Sequence, residues 1–153
     1  MKTVCIVACG KMKIWDKNPN AGKTRAEEAY IGGPTKSSIK YAKKFHPDDW
    51  FILSAKYGFL RPDDLIESYN VTFKKKHTNP ISVDELSNQI IEKGLGQYDR
   101  IVVLGGEDYV EVVKKAFEKA SLKKEILTPL AGLRSGERVH CLTEAIQKNE
   151  PLY

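Results

Sequence analysis

Side chains that can bind a ligand or move a proton are concentrated in one short stretch of this sequence. Eight of them lie within sixteen residues and supply hydroxyl, amine, guanidinium and carboxylate groups: Ser54, Lys56, Tyr57, Arg61, Asp63, Asp64, Glu67 and Tyr69. A loop that only connects two elements does not need this mixture, whereas a polar active site needs acids, donors and nucleophiles close together. The stretch therefore predicts where a site lies without naming its reaction.

Two carboxylates of the stretch, Asp64 and Glu67, are candidate acid and base catalysts. In a partly dry crevice a carboxylate can stabilise a developing oxocarbenium ion or position a water molecule, as cleavage of an N-glycosidic bond requires. A structural alternative stays open for Asp64 and its neighbour Asp63, because carboxylates that follow a proline also suit the N-terminus of a helix.

The other polar side chains of the stretch suit binding or covalent chemistry. Lys56 is a candidate phosphate ligand or amine nucleophile. Tyr57 and Tyr69 are candidates for stacking on a base or donating a hydrogen bond, although aromatic side chains also serve as core residues. We assign Lys56 and Tyr57 to the catalytic set, and Ser54 and Tyr69 to substrate binding.

Short apolar runs alternate with helical periodicity along the chain. The predicted strands are 3–8, 50–54, 100–104 and 125–127. The predicted helices are a short one capped by Thr24, then 35–45, 82–94, 108–120 and 137–148. This alternation predicts an α/β fold with three layers, in which a short, mainly parallel sheet of about four strands is flanked by helices. We expect residues 1–153 to form a single domain.

Each predicted strand is followed by a loop that contains glycine or charged residues. The loops carry Cys9, Gly10, Lys11 and Lys13 after the first strand, Ser54 to Tyr57 after the second, Gly105, Gly106 and Glu107 after the third, and Arg134 after the fourth. Ligands of open α/β sheets bind beyond the carboxyl ends of the strands. If the strands are parallel, all four loops meet at one edge of the sheet and form one site.

The three outer loops suit the binding of an anion. Lys11 and Lys13 can neutralise phosphate as point charges, and Gly105 with Gly106 at a helix start can bring backbone amides to an anion. Arg134 between two glycines can clamp a phosphate, or it can be a solvated surface residue. Cys9 is either a nucleophile activated by the nearby lysines or a small buried residue at a strand end.

A family resemblance is carried by the same central stretch. Leu53 to Ile66, followed by Ser68 and Tyr69, resembles the LSxxYGxLRPxDLIxPY signature of the YaaA-like peroxide-stress proteins and of small, mostly uncharacterised prokaryotic and phage domains related to them. The resemblance continues in residues 9–13, 104–109 and 129–137. It implies an α/β domain associated with DNA or nucleotides.

The composition limits the cellular setting. No apolar run approaches the ~20 residues that span a bilayer, and the first residues lack the features of a signal peptide, so we expect a cytoplasmic protein without a membrane partner. The cysteines at 5, 9 and 141 are too few and too scattered for a disulfide framework, and together with three dispersed histidines they predict neither a metal site nor a cofactor. The net charge of +5 permits an anionic partner.

These observations leave two functions of different classes. The first is an enzyme acting on a nucleotide, nucleoside or base in nucleic acid, by cleavage or transfer of an N-glycosidic bond. The second is a non-catalytic DNA-binding or nucleotide-sensing stress protein of the YaaA-like type, whose basic residues contact phosphates. A third alternative is a redox sensor that uses Cys9. In the first two cases the partner bears phosphate, and the sequence does not define the oligomeric state.

Overall fold

The computed structural model describes all residues from 1 to 153. Its strands are β1 (Thr3–Ala8), β2 (Thr24–Arg25), β3 (Trp50–Ser54), β4 (Gly58–Leu60), β5 (Leu65–Ile66), β6 (Arg100–Leu104) and β7 (Glu125–Leu127). Five of them form one sheet in the order β4-β3-β1-β6-β7, and β2 pairs with β5 in a separate ribbon. β1 is parallel to both β3 and β6, and β6 is parallel to β7, whereas β4 is antiparallel to β3.

Helices connect the strands. They are α1 (Ile14–Lys17), α2 (Ala26–Ala29), α3 (Gly33–Phe45), α4 (Val83–Glu92), α5 (Glu107–Lys119) and α6 (Ser135–Lys148). The first two are single turns, and short 3-10 turns cover Lys76–Thr78 and Leu95–Gln97. None of the helices combines the length and the apolar character that crossing a membrane requires.

Side-chain alternation along the buried strands produces two cores, one on each face of the sheet. Cys5 and Val7 of β1 belong to the core that includes residues of α3 and α6. Val4 and Ile6 belong to the core that includes residues of α4 and α5. Because both faces are covered, the central strands are apolar at nearly every position, as parallel strands in such sheets usually are. The molecule therefore has three layers: two helices, the sheet, and two helices.

The predicted fold class is confirmed, including the parallel strands and the helices between them. The sequence analysis missed β4, which has only three residues and follows β3 after a tight turn. Gly58 makes this reversal with a φ of +78°, in the left-handed region that favours glycine. The side chain of Gln89 on α4 secures the hairpin, because it accepts a hydrogen bond from Phe59 N and donates one to Tyr57 O.

The structure corrects two local predictions. Thr24 does not cap a helix; it pairs with Ile66 in the β2–β5 ribbon, and the single turn α2 begins two residues later. No helix begins at Asp63 or Asp64, where the chain makes a turn that leads from β4 to β5. In both places a short pairing between distant residues replaces the helix that the local residue types favoured.

Candidate functional site

The carboxyl ends of β1, β3 and β6 form the centre of the candidate site. β1 lies between β3 and β6, and the connections from these strands leave in opposite directions across the sheet. A topological switch point of this kind is where open α/β sheets bind ligands. Residues after these strands, together with side chains from more distant segments, make a polar cluster there. We call it the Lys13 cluster and define it as Cys9, Lys13, Tyr30, Ser54, Tyr69 and Tyr109.

Cys9 connects the end of β1 with helix α5. Its backbone N–H donates to Leu53 O at 3.0 Å and continues the pairing of β1 with β3. Its thiol lies 3.0 Å from the Tyr109 hydroxyl. Gly105 allows this approach, because a Cβ at that position would lie 2.6 Å from the Cβ of Ala8 and 3.3 Å from that of Tyr109. The glycine after β6 thus permits the close strand-to-helix packing that places Tyr109 next to Cys9.

Ser54 holds a chain of hydroxyl groups in place. Its Oγ accepts hydrogen bonds from the backbone N–H groups of Lys56 and Tyr57, both at 3.1 Å, and donates to the Tyr69 hydroxyl at 3.0 Å. The hydroxyls of Tyr69 and Tyr30 are 2.5 Å apart. Because Ser54 donates its hydrogen bond to the Tyr69 oxygen, the Tyr69 hydroxyl can donate its own hydrogen bond to Tyr30 or to a ligand.

Burial keeps the tyrosines of the cluster neutral. It raises the pKa of Tyr30, Tyr69 and Tyr109 well above the ordinary value, and the nearby Cys9 adds to this effect in all three cases. A neutral phenol both donates and accepts a hydrogen bond. The three side chains therefore remain available as hydrogen-bond donors across the physiological pH range.

Lys13 is a buried cation without an ionic partner. Its side chain is 8% exposed, and its Nζ lies 4.4 Å from the centroid of the Tyr69 ring. Nζ donates to Lys11 O at 3.3 Å and forms no ion pair. Burial lowers the pKa of Lys13, and Cys9 and Asp16 oppose that shift.

The backbone around Lys13 explains its position. Lys13 forms an isolated antiparallel bridge with Tyr30, and Ile31 N donates to Met12 O at 3.1 Å. The N–H of Lys13 also donates to the Asp16 carboxylate at 2.8 Å, which closes the start of α1. This pairing places two residues of the cluster side by side although one precedes α1 and the other follows α2.

The predicted catalytic residue Asp64 lies outside the cluster. β4 is antiparallel to β3, so it carries the chain back to the opposite edge of the sheet, where Arg61 contacts the ring of Phe51. The Asp64 carboxylate accepts a hydrogen bond from Arg61 N at 2.8 Å, and its charge acts on Lys93. Asp64 therefore does not join the Lys13 cluster, and its side chain closes a turn.

The other three predicted catalytic residues lie at the rim of the cluster. Glu67 points its exposed carboxylate toward Lys23, with 4.0 Å between the charged atoms. Its backbone N–H donates to the Tyr57 hydroxyl at 3.2 Å, and the Tyr57 ring stands edge-on to Tyr69 with 5.5 Å between centroids. Lys56 is exposed, and its Nζ lies 5.2 Å from the centroid of the Tyr57 ring. Tyr57 thus packs on the cluster, while the two charged side chains face solvent.

Residues of the loop after β1 differ in their exposure. Cys9 and Lys13 are buried in the cluster, whereas Lys11 is exposed at the rim. Gly10 allows the loop to approach helix α3, because a Cβ there would lie 2.6 Å from the Thr35 hydroxyl. The loop therefore contributes two buried groups and one solvated cation.

Arg138, which the sequence analysis did not select, is the cation beside the loop after β6. One of its terminal nitrogens would lie 2.8 Å from a Cβ added at Gly106, and its Nε donates to Leu133 O at 2.9 Å. Arg134 is exposed at the start of α6, where its backbone N–H donates to the Glu137 carboxylate. Glu107 is exposed in the first turn of α5. The guanidinium beside this loop is therefore that of Arg138, one helical turn beyond the predicted Arg134.

Tyr30 and Tyr109 are the cluster residues that the sequence analysis missed. Tyr109 lies four residues after Gly105, in the first turn of α5. Its place close behind the glycine motif was the one feature of the sequence that could have pointed to it. Tyr30 ends the short α2 and has no polar motif around it, and only its pairing with Lys13 brings it to the site.

The cluster combines one cation, three neutral phenols, a hydroxyl and a thiol. None of its six side chains is a carboxylate, and no group of three or more His, Cys, Asp or Glu residues forms a metal site. Such a set can neutralise and hydrogen-bond an anion, and it can donate a proton through a phenol.

Comparison with known proteins identifies a relative that matches along the whole chain. The uncharacterized protein YfjM of Bacillus subtilis (strain 168) is 41% identical over 154 residues, which cover 99% of this chain and 100% of that protein. No solved structure matches the chain.

The family comparison overturns the resemblance drawn from Leu53 to Ile66. The model that matches is a family of unknown function, DUF6884, and it covers residues 4–144; no YaaA-like family matches. The YaaA-like assignment is therefore wrong, because a short shared motif does not outweigh a match along most of the chain. The chain belongs to the family of unknown function DUF6884.

Proposed function

We propose that the Lys13 cluster binds the phosphate-bearing part of a nucleotide or of nucleic acid, and that the protein cleaves or transfers the N-glycosidic bond of that ligand. One observation carries the proposal. Lys13 is buried at the switch point of the sheet, its Nζ lies over the ring of Tyr69, whose hydroxyl contacts those of Ser54 and Tyr30, and no carboxylate forms an ion pair with it.

Burial of an unpaired ammonium group costs free energy, and the cost falls when an anion binds next to it. Carboxylates usually supply that anion inside a protein, but here Nζ lies over the ring of Tyr69 and donates to a backbone carbonyl, while Cys9 and the Asp16 carboxylate act on it only through their charge. Neutral phenols can donate hydrogen bonds to phosphate oxygens while the ammonium supplies the charge. A phosphate therefore complements the cluster better than a cation or an apolar ligand would.

The hydroxyl chain suits the departure of a base. In hydrolysis the bond between C1′ and the base nitrogen breaks with its electron pair going to the nitrogen, water adds its hydroxyl to C1′, and the proton ends on the base. Tyr69 can donate a hydrogen bond to the leaving nitrogen, because Ser54 already donates to the Tyr69 oxygen and leaves the Tyr69 proton free. The Tyr30 hydroxyl is the next group in this chain of hydroxyls, 2.5 Å from that of Tyr69.

A second candidate function is binding without catalysis, as in a nucleotide sensor. The specific observation in its favour is the composition of the cluster, which contains no carboxylate because Asp64 lies at the other edge and Glu67 faces Lys23. Without a carboxylate, an oxocarbenium ion would have to be stabilised by the thiol of Cys9 or by the phosphate of the substrate.

Mass spectrometry of reaction products tests both candidates. The purified protein is incubated with nucleotides, nucleosides, and single- and double-stranded DNA and RNA, beside the variants Lys13→Met, Tyr69→Phe and Asp64→Asn. We expect a free base as product, loss of ligand binding in Lys13→Met, loss of product with retained binding in Tyr69→Phe, and unchanged product in Asp64→Asn.

The outcomes separate the hypotheses. Binding that depends on Lys13 without any product supports the sensor. Product formation that survives in Lys13→Met but disappears in Asp64→Asn would place the chemistry at the opposite edge of the sheet and overturn the proposal. The absence of binding to every phosphate-bearing probe would overturn both candidates.

A further inference from the structure

A basic loop, residues 72–79, lies next to the Lys13 cluster and is stabilised by internal hydrogen bonds. We propose that the ligand is a single-stranded nucleic acid, whose phosphates run along residues 72–79 while one nucleotide unit enters the cluster. This inference rests on the proposed function and names the class of ligand for the same site.

The loop has a defined shape although most of its side chains are exposed. The Thr78 hydroxyl accepts from Thr72 N at 3.1 Å and lies within hydrogen-bond distance of the carbonyl oxygens of Thr72 and Lys75. The backbone adds bonds from Lys75 N to Thr72 O and from Thr78 N to Lys75 O. The cations between Thr72 and Thr78 therefore lie on a turn whose backbone is fixed by hydrogen bonds.

Four consecutive basic side chains project from this turn, and all are exposed: Lys74, Lys75, Lys76 and His77. Lys74 lies 3.9 Å from the Asp108 carboxylate, a loose surface pair between two exposed side chains. The side chains of Lys75 and Lys76 form neither an ion pair nor a hydrogen bond. Like charges held side by side repel each other, and an anion that lies along them relieves the repulsion.

An aromatic contact fixes the loop beside the cluster. The ring of Phe73 stands edge-on to that of Tyr109, with 5.4 Å between centroids, and Tyr109 in turn contacts the Cys9 thiol. Further exposed cations at the same edge are Lys11 and Lys56. Three exposed acids lie at this edge as well, Glu67, Glu107 and Asp108, and two of them already face lysines.

Exposed cations extend from the loop at residues 72–79 to Lys11 and Lys56, and this extent favours a single-stranded nucleic acid over a free nucleotide as the ligand. A single phosphate needs Lys13 and its hydroxyl neighbours, and it would leave the loop cations without a partner. Partly exposed Tyr57 and Phe73 are each adjacent in sequence to one of these cations, Lys56 and Lys74, and basic grooves that also present aromatic rings are typical of proteins that bind single-stranded nucleic acid. A nucleotide in a duplex would first have to leave the stack before its base could reach Tyr69.

Fluorescence anisotropy with labelled oligonucleotides tests the inference. Short single strands of DNA and of RNA, a duplex and a labelled mononucleotide are titrated at several salt concentrations. The loop variant is Lys74→Ala with Lys75→Ala and Lys76→Ala. The matched control removes the same charge elsewhere, with Lys40→Ala, Lys114→Ala and Lys123→Ala, three exposed lysines without ion pairs.

We expect the single strand to bind more tightly than the mononucleotide and the duplex. Each phosphate contact to a single strand contributes about 0.7 to the slope of log affinity against log salt. The loop variant should therefore lower the slope by about 2 and weaken strand binding by roughly tenfold or more at low salt. Binding of the mononucleotide should stay unchanged, and the control should behave as wild type. The DNA and RNA arms show which sugar is preferred.

Two results would overturn the inference. If the loop variant and the control lose equal affinity, the effect is one of net charge and the loop is not a contact surface. If strand and mononucleotide bind equally and the loop variant changes neither, the ligand is a free nucleotide, and the proposed function stands. Failure of the proposed function gives a different result from failure of this inference. In that case Lys13→Met would leave the binding of every probe unaffected.

Discussion

The thiol of Cys9 lies 3.0 Å from the hydroxyl of Tyr109, although one hundred positions separate the two residues in the chain. Their contact follows from the pairing of β1 with β6 and from the glycine that ends β6, which lets α5 begin against Ala8. The contact joins two halves of the site. One half comes from the loop after β1, and the other from the helix after β6.

Alkylation of the three cysteines tests whether a ligand occupies this contact. We expect Cys5 to stay unmodified in the folded protein, because it is fully buried and burial raises its pKa. Half-buried Cys141 should react fastest and Cys9 more slowly. A bound nucleotide or strand should protect Cys9 and leave the rate at Cys141 unchanged, as measured by peptide mass spectrometry. Equal protection of Cys9 and Cys141 would mean a global stabilisation rather than occupation of the cluster.

The hydroxyl chain predicts a coupling between Tyr69 and Tyr30. Tyr69→Phe removes the group that contacts both Ser54 and Tyr30, and it should lower the free energy of unfolding by about 2 kcal/mol. Tyr30→Phe should cost about 1 kcal/mol. The double variant should cost less than the sum, with a coupling of about 1 kcal/mol in urea denaturation. Additive effects would contradict a direct hydrogen bond between the two hydroxyls.

Two glycines with similar backbone angles should respond differently to alanine. Gly22 and Gly58 have φ values of +70° and +78°, but a Cβ at Gly22 meets open space, whereas one at Gly58 would lie 2.2 Å from the Gln89 amide oxygen. Gly22→Ala should cost about 1 kcal/mol for the left-handed backbone. Gly58→Ala should cost about 3 kcal/mol, because Gln89 must also give up its two hydrogen bonds to the hairpin.

A Gln89→Ala background provides the control for this comparison. There the side chain that would clash is absent, so adding Gly58→Ala should cost only about 1 kcal/mol more, the strain of the backbone alone. Chemical denaturation of the four proteins measures the cycle. A penalty at Gly58 that is unchanged in the Gln89→Ala background would show that the clash with Gln89 is not its cause.

The buried amine of Lys13 predicts a pH-dependent stability. Burial lowers its pKa in the folded state below the ordinary value, so between the two values the unfolded chain binds more protons, and stability rises with pH through that window. At neutral pH the folded state carries the cost of the buried charge. Lys13→Met should therefore raise the free energy of unfolding by about 1 kcal/mol at neutral pH, where an apolar side chain of similar length avoids that cost.

Thermal unfolding of Lys13→Met and wild type from neutral to alkaline pH measures this difference. The advantage of the variant should shrink as pH rises toward the ordinary pKa of lysine, because wild type then loses its proton. Lys56→Met, at an exposed site beside Tyr57, is the control and should show no such trend. A variant that is less stable than wild type at neutral pH would show that the cation–π contact with Tyr69 outweighs burial.

Local patterns predicted most of the fold because burial on both faces leaves a local signature. Apolar runs at β1, β3 and β6 and helical periodicity at α3, α4, α5 and α6 report which side chains face the cores. The order of these elements alone predicted parallel strands and one edge with four loops. Cys9, Lys13 and Ser54 were placed in the site on that basis and Tyr69 because it belongs to the polar stretch, and the four lie together in the structure.

The prediction failed where short pairings between distant residues direct the chain. The stretch from Ser54 to Tyr69 was treated as one loop at one edge, but β4 pairs antiparallel with β3 and takes Asp64 to the far side before β5 returns toward Tyr69. Three strand residues leave no periodicity that a local pattern could reveal. For the same reason the bridge between Lys13 and Tyr30 had no signal in the sequence.

The sequence by itself determined the α/β class, the order of the elements and the edge of the sheet where polar loops gather, because these depend on side-chain periodicity within single elements. Only the tertiary structure decided which polar groups meet there. Hydrogen bonds between distant backbone segments bring Tyr30 and Tyr109 in and carry Asp64 away. They also bury Lys13 without an ion pair, since the energy of a buried charge depends on neighbours that no local pattern specifies.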